Sequence, residues 1–196
     1  RGHYLNQAEI NALLVARTQE GKTVLRLKGG DPFIFGRGGE EAEFVADAGI
    51  PFEVVPGISS ALACPAYAGI PITHRTLASS VAIVTGHEDP VKDVPHVTWK
   101  LFAQKNGTLV ILMGIRNLPS IVRSLLDEGK PPTTPVALIR WGTRATQRTL
   151  TGTLQDIVKT STDAGMDPPA IVVVGDVVTL RDKLNWYERR PLFGKK

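Results

Sequence analysis

Four short stretches of this sequence carry residue types that could grip a small polar molecule. RLKGGDPFIFGRGGEE, residues 26–41, packs five glycines, two aromatics and charges of both signs into sixteen positions. A segment that only connects two elements has no need of Gly29-Gly30 and Asp31-Pro32 followed by Gly36, Arg37 and a second glycine pair. Two readings stand side by side. The first glycines permit positive φ in a tight turn, or their missing side chains let a ligand lie against the backbone while Asp31 accepts hydrogen bonds from it. In VVPGISS, residues 54–60, Ser59 and Ser60 follow a Pro-Gly turn, where a serine can cap a helix and face a ligand at once. Met113, in the LMG of residues 112–114, and Gly142, in the WGT of residues 141–143, each follow an apolar run. Met113 suits both core packing at a strand end and an adaptable apolar wall.

The elements that must position these residues read as follows. Residues 7–20 place Ile10, Leu13 and Leu14 at helical spacing and stop at Gly21, where a helix end wants an αL residue. Residues 23–27 read as a short strand delivering the chain into the Gly29-Gly30-Asp31 turn, with Pro32 at a first helical position behind an Asp cap. Residues 39–48 read as a helix whose acidic start complements the macrodipole, stopped by Gly49. A strand at 52–55 then leads through Pro56-Gly57 to Ser59-Ser60 as the N-cap of a helix kinked by Pro65. Alternation of strand, turn and helix predicts parallel strands with crossover helices and ligands at the carboxyl ends of the strands. From Ser80 onward strand-like runs dominate: SVAIVTG, TLVILMG, PVALIRWG, QRTLTGTL and AIVVVGDVV. Leu118, Ile121, Val122, Leu125 and Leu126 make an amphipathic helix behind Asn117, closed by Gly129 and Pro131. The expected division is a partial N-terminal α/β domain over 1–77, a C-terminal α/β domain over 78–188, and a tail or linker over 189–196.

Composition narrows the class. At 196 residues, 42% hydrophobic and 21% charged, the chain can bury about 70% of its unfolded surface and is neither disordered nor fibrous. No apolar run approaches the ~18 residues of a membrane span, and no signal-peptide pattern opens the chain, so a soluble protein is expected. The net charge of +4 suits an anionic partner, but Lys and Arg are dispersed rather than blocked, which does not favour nucleic acid. The lone Cys64 cannot form an internal disulfide, and His3, His74, His87 and His96 lack metal-ligand spacing. A reducing, cytoplasmic compartment and no metal site are expected.

KGGDPFIFGRGGEE, VVPGISSALACPAYAGIPITHR, LMG, WGT and the late TLRDKLNW occur in this order through nearly the whole chain. Together they closely resemble the uroporphyrinogen-III C-methyltransferases of the tetrapyrrole methylase superfamily. The resemblance implies an α/β, two-domain fold, here an incomplete parallel-sheet N-terminal domain plus a mixed-sheet C-terminal domain, with S-adenosylmethionine held in the cleft between domains. It also implies a homodimer and methylation of two ring carbons of uroporphyrinogen III to give precorrin-2, which feeds sirohaem and cobalamin synthesis. By resemblance the cofactor contacts fall on Gly29, Gly30, Asp31, Ile34, Ser59, Ser60, Met113 and Gly142. Such a pocket wants apolar walls, which Ile34 and Met113 supply, and an acceptor, which Asp31 supplies. The implied substrate bears eight carboxylates, and arginine recognises carboxylates bidentately. Arg37, set between Gly36 and Gly38, is the first candidate, followed by Arg75 and Arg148. Methyl transfer from a sulfonium needs no metal because the leaving group departs neutral; the protein's task is alignment.

The same resemblance implies an upstream glycine-rich strand and turn, together with the Asp and Lys assigned as proton acceptor and donor, and none of this stands before Arg1. The 196 residues are therefore expected to be a fragment that holds most of the cofactor site, carries no catalytic acid or base, and forms no precorrin-2 alone. NWYERRPLFGKK, residues 185–196, resembles the linker of relatives that continue into a uroporphyrinogen-III synthase domain. Two alternatives remain: a sister enzyme acting on later corrin intermediates, diphthamide precursors or ribosomal RNA, and a non-catalytic chain that keeps the cofactor without turnover. An RNA enzyme should show a different loop in place of GGDPFIFGRGGEE.

Overall fold

The computed structural model describes residues 5–86, 97–103 and 107–188. Its contacts divide the chain into two compact units, Arg1–Ser59 and Ser60–Lys196. Residues 60–77, which the sequence division assigns to the N-terminal domain, contribute Ala61, Cys64, Ala68 and Ile70 to the core of the second unit.

The first unit contains helices α1 (Gln7–Gln19) and α2 (Gly38–Asp47). A reciprocal capping box starts α1: Glu9 N–H donates to Asn6 Oδ1 at 3.0 Å, and Asn6 N–H donates to Glu9 Oε2 at 2.6 Å. The helix ends as expected at Gly21, whose φ is +80°. The strands expected at 23–27 and 52–55 are not found; neither segment joins a ladder among the described residues. Leu25 is 88% and Val55 81% exposed. A β-branched apolar run states a propensity, whereas a strand requires a neighbour to take its backbone hydrogen bonds.

All five expected strands of the second unit form. After α3 (Ser60–Tyr67) come β1 (Ser80–Thr85), β2 (Gly107–Leu112), α4 (Leu118–Asp127), β3 (Pro135–Arg140), β4 (Arg148–Thr153), α5 (Ile157–Asp163), β5 (Ala170–Val174) and α6 (Arg181–Leu184). They build one mixed sheet in the order β1-β2-β5-β3-β4. β1 and β2 are parallel, β5 is antiparallel to both β2 and β3, and β3 and β4 are antiparallel. Successive side chains alternate between faces. Leu109, Ile111, Val136, Leu138, Val172 and Val174 pack with α4 and α5. Val110, Leu112, Ala137, Ile139, Ile171 and Val173 pack with α3 and the 3₁₀ turn Asp176–Leu180. Because both faces are covered, the central strands read as unbroken apolar runs, which made them legible.

α4 buries Leu118, Ile121, Val122 and Leu125, the stripe its sequence promised. Asn117 at its start spends its side-chain amide on the Gly86 carbonyl, 2.7 Å away, and so ties the helix entry to the end of β1. Among the described residues no helix is long and apolar enough to cross a membrane. With β5 running against its neighbours, one edge of the sheet collects the carboxyl ends of β1, β2 and β3 and the start of β5.

Candidate functional site

In the first unit Asp31 joins two glycine turns. Its Oδ1 accepts from Phe33 N–H at 2.8 Å and its Oδ2 from Gly57 N–H at 3.1 Å. The first contact makes an Asx turn in place of the expected helix cap, and residues 32–36 run as turns and bends. A Cβ on Gly57 would sit 2.2 Å from the Gly30 carbonyl oxygen, so the close approach of the turns requires glycine there. Gly30 has φ +83°, and a Cβ on Gly29 would meet only open space. Ile34 is 41% exposed on the same loop, and Ser59 is buried at the end of the unit.

Arg37 stands in the left-handed region at φ +58° as the N-cap of α2. Its guanidinium pairs with Glu40 at 2.5 Å, both side chains being exposed, and this contact raises the Arg37 pKa and lowers that of Glu40. Glu41 is 5% exposed and was not anticipated beyond its place in an acidic first turn. It accepts from Lys28 at 2.8 Å, Gln7 at 3.0 Å and Arg26 at 3.2 Å. Burial works to raise its pKa, but the Lys28 ammonium, the Gln7 amide and the Arg26 charge together hold it below the usual carboxylate range.

The second unit holds Ser60, Met113 and Gly142 in the wall of one cavity of about 600 Å³. It opens where β2 and β3 end and β5 begins, and it is also lined by Leu112, Ile139 and Ile171. Met113, Trp141 and Thr143 have φ of +56°, +50° and +69°. Left-handed backbone at a non-glycine residue costs roughly 1–3 kcal/mol and persists where its surroundings over-determine it. For Thr143 those surroundings are visible. Thr143 N–H donates to Gln147 Oε1 at 2.8 Å, Tyr187 O–H donates to the Thr143 carbonyl at 3.3 Å, and Gln147 Nε2–H donates to Glu188 Oε1 at 3.0 Å. Glu188 in turn accepts from Thr149 at 2.6 Å and pairs with Arg181. Gly142 lies against α3: a Cβ there would come 2.3 Å from Cys64 Sγ. Cys64 is 7% exposed, and burial pushes its thiol up to about 11.

The remaining expected residues lie apart from this cavity. Arg148 opens β4 and donates to the Ala164 carbonyl at 2.8 Å, while Arg75 is exposed in the turn before β1. Two arginines that sequence reasoning missed, Arg116 and Arg144, line the cavity, and the Arg144 guanidinium lies 5.0 Å from the centre of the Trp141 ring. An isolated arginine carries no sequence signal; only the fold brings these two to the same edge.

A mixed sheet with covered faces and a strained, apolar cavity at its strand ends defines an α/β small-molecule-binding domain. The profile of the tetrapyrrole (corrin/porphyrin) methylases matches residues 1–158, and the chain belongs to that family. It is 54% identical over 182 residues to the S-adenosyl-L-methionine-dependent uroporphyrinogen III methyltransferase of Methanosarcina barkeri, covering 93% of this chain and 71% of that protein. It is 53% identical to the siroheme synthase of Hahella chejuensis, of which it spans 39%. The uroporphyrin-III C-methyl transferase of Thermus thermophilus, solved in complex with S-adenyl homocysteine, superposes with a TM-score of 0.76 at 36% identity, covering 89% of this chain and 75% of that one.

Proposed function

We propose that this chain serves S-adenosylmethionine-dependent C-methylation of uroporphyrinogen III to precorrin-2, the step that leads into sirohaem and also cobalamin biosynthesis. One observation carries the reading. Among the described residues, all five non-glycine positions with positive φ, Phe35, Arg37, Met113, Trp141 and Thr143, fall within three of the four motifs that could grip a ligand. Backbone strain concentrated in those motifs is the mark of a built site. The Thermus relative, similar in fold, was solved with the demethylated cofactor.

The residues present fit the cofactor. A cavity of about 600 Å³ walled by Met113, Ile139 and Ile171 suits an adenosyl group. Asp31 keeps acceptor capacity for a hydroxyl or ammonium, since a carboxylate offers about four lone-pair sites and two backbone N–H groups use it here. Gly29, Gly30, Asp31, Ile34, Ser59, Ser60, Met113 and Gly142 are the proposed cofactor contacts; Arg37, Arg75 and Arg148 are the proposed contacts to substrate carboxylates. Cytoplasmic residence, in keeping with the free Cys64, and a homodimeric state belong to the same proposal.

When bound, S-adenosylmethionine supplies an electrophilic methyl group. The chain's own residues bind and orient: the locked Trp141-Gly142-Thr143 turn and the Asp31 bridge present fixed surfaces rather than loops that must order on binding. Among the described residues, the wall of the second unit's cavity holds no general base. Its ionisable groups are Arg116, Arg144 and Cys64; arginine stays protonated and the thiol sits at about 11. A second reading is a chain that holds the cofactor without turnover.

Incubation with methyl-labelled S-adenosylmethionine and uroporphyrinogen III separates the two. Label recovered in an octacarboxylate tetrapyrrole supports the methyltransferase. Binding of both ligands without transfer selects the second reading, and label accepted only by a later corrin intermediate overturns the substrate.

A further inference from the structure

We propose that Arg116 and Arg144 form a carboxylate-recognising pair at the mouth of the cavity in the Ser60–Lys196 unit. Both line the cavity, and among the described residues no Asp or Glu does. Among the described residues neither guanidinium has a carboxylate within ion-pair distance, whereas Arg26, Arg37, Arg140 and Arg181 each have one. Two uncompensated positive charges beside Leu112, Ile139 and Ile171 set up a field that an anionic ligand group satisfies and a neutral one does not.

The fold fixes how the pair is presented. Arg116 follows β2 and Arg144 follows β3, and β5 lies between those strands. The two strands that lead into them are therefore two strand spacings, roughly 10 Å, apart, which suits a ligand carrying more than one carboxylate. Arg144 is also held by its stacking over Trp141, in the turn that Gln147 and Tyr187 lock. A pre-positioned guanidinium loses less side-chain freedom on forming a bidentate contact. The inference rests on the methyl-transfer reading for the identity of the ligand. Two sources of the carboxylate are open to it: the acid side chains of the tetrapyrrole and the amino-acid end of the methyl donor.

The experiment uses the whole chain and two pairs of ligands. Calorimetry compares S-adenosylhomocysteine with its decarboxylated analogue; fluorescence compares uroporphyrin III, with eight carboxylates, and coproporphyrin III, with four. Arg116→Gln and Arg144→Gln should each weaken the carboxylate-bearing ligand about 10- to 100-fold, the scale of a lost charge-assisted hydrogen bond, and Arg→Lys should restore part of it. Loss confined to the porphyrins, and larger for uroporphyrin III than for coproporphyrin III, supports the pair and assigns the carboxylate to the tetrapyrrole. Loss confined to S-adenosylhomocysteine and absent for its decarboxylated analogue supports the pair and assigns it to the donor. Folded variants that bind all four probes like the wild type overturn the pair and leave the methyl-transfer reading standing. A wild-type chain that binds none of the probes overturns both.

Discussion

Replacing Gly142 with alanine isolates one contact in the cavity wall. Gly142 is not among the positive-φ glycines, so alanine meets no backbone penalty, and any effect comes from where its Cβ lands. That position is 2.3 Å from Cys64 Sγ, 2.6 Å from Cys64 Cβ and 3.1 Å from Cys64 Cα. Comfortable contact is about 3.5–4.0 Å, so the overlap exceeds what a rotamer change of Cys64 can relieve, because two of the three atoms belong to the body of α3. Either α3 or the 141–143 turn must move. Overpacking of this kind costs about 1–3 kcal/mol, and a loss near 2 kcal/mol lowers the Tm of a unit this size by roughly 4–8 °C. Displacing the turn also moves Trp141 and should weaken S-adenosylhomocysteine. Adding Cys64→Ala removes the sulfur but leaves its Cβ, so the double variant should recover only part of the loss, a coupling that thermal unfolding of the four proteins reads directly. A Gly142→Ala chain with wild-type Tm and wild-type affinity would refute the argument.

Three further outcomes are expected. Asp31→Ala should weaken S-adenosylhomocysteine by about 1–3 kcal/mol, since it removes both an acceptor and the bridge to Gly57; unchanged affinity in calorimetry removes Asp31 from the site. Arg37→Ala should raise the KM for uroporphyrinogen III, or lower kcat if the contact orients the ring, while leaving S-adenosylhomocysteine affinity nearly intact; equal damage to both ligands in steady-state and binding assays would mean that Arg37 serves the loop. Glu41→Gln should cost about 2–3 kcal/mol at neutral pH in urea unfolding, at the low end for a broken buried pair because Arg26 is partly exposed. The folded-state pKa of Glu41 lies below its ordinary 4.5, so its stabilisation is complete above that value and fades as pH falls through the folded one. The difference between wild type and variant should therefore shrink below about pH 4.5, and a difference independent of pH would contradict the role of the charge.

What the sequence made legible was whatever depends on local pattern. Four of the five strands of the second unit are apolar runs bounded by turn residues, and β4, RTLTGT, is instead rich in β-branched threonine. α4 shows its stripe, and Gly21 and Gly129 mark helix ends that both take positive φ. What it hid depends on partners distant in the chain. Residues 23–27 and 52–55 have strand composition and no ladder. Asp31 has the look of a helix cap but bridges to Gly57, 26 positions away. Glu41 reads as a macrodipole acid yet is buried among Gln7, Arg26 and Lys28. Met113, Trp141 and Thr143 are not residues that announce left-handed backbone, and the network through Gln147, Tyr187 and Glu188 explains how Thr143 keeps it.

The chain has two methionines, and they report on opposite environments: Met113 lines the cavity and is 52% exposed, whereas Met166 is 7% exposed in the core beneath the sheet. Carbon-13 labelling of the methionine methyl groups gives a spectrum with one signal from the proposed site and one internal control. Titration with S-adenosylhomocysteine should shift the Met113 methyl resonance saturably while that of Met166 stays in place, and Gly142→Ala should reduce the shift at equal ligand concentration. A Met113 signal that does not move in a folded chain, or that moves no more than Met166, would contradict the assignment of this cavity to the methyl donor.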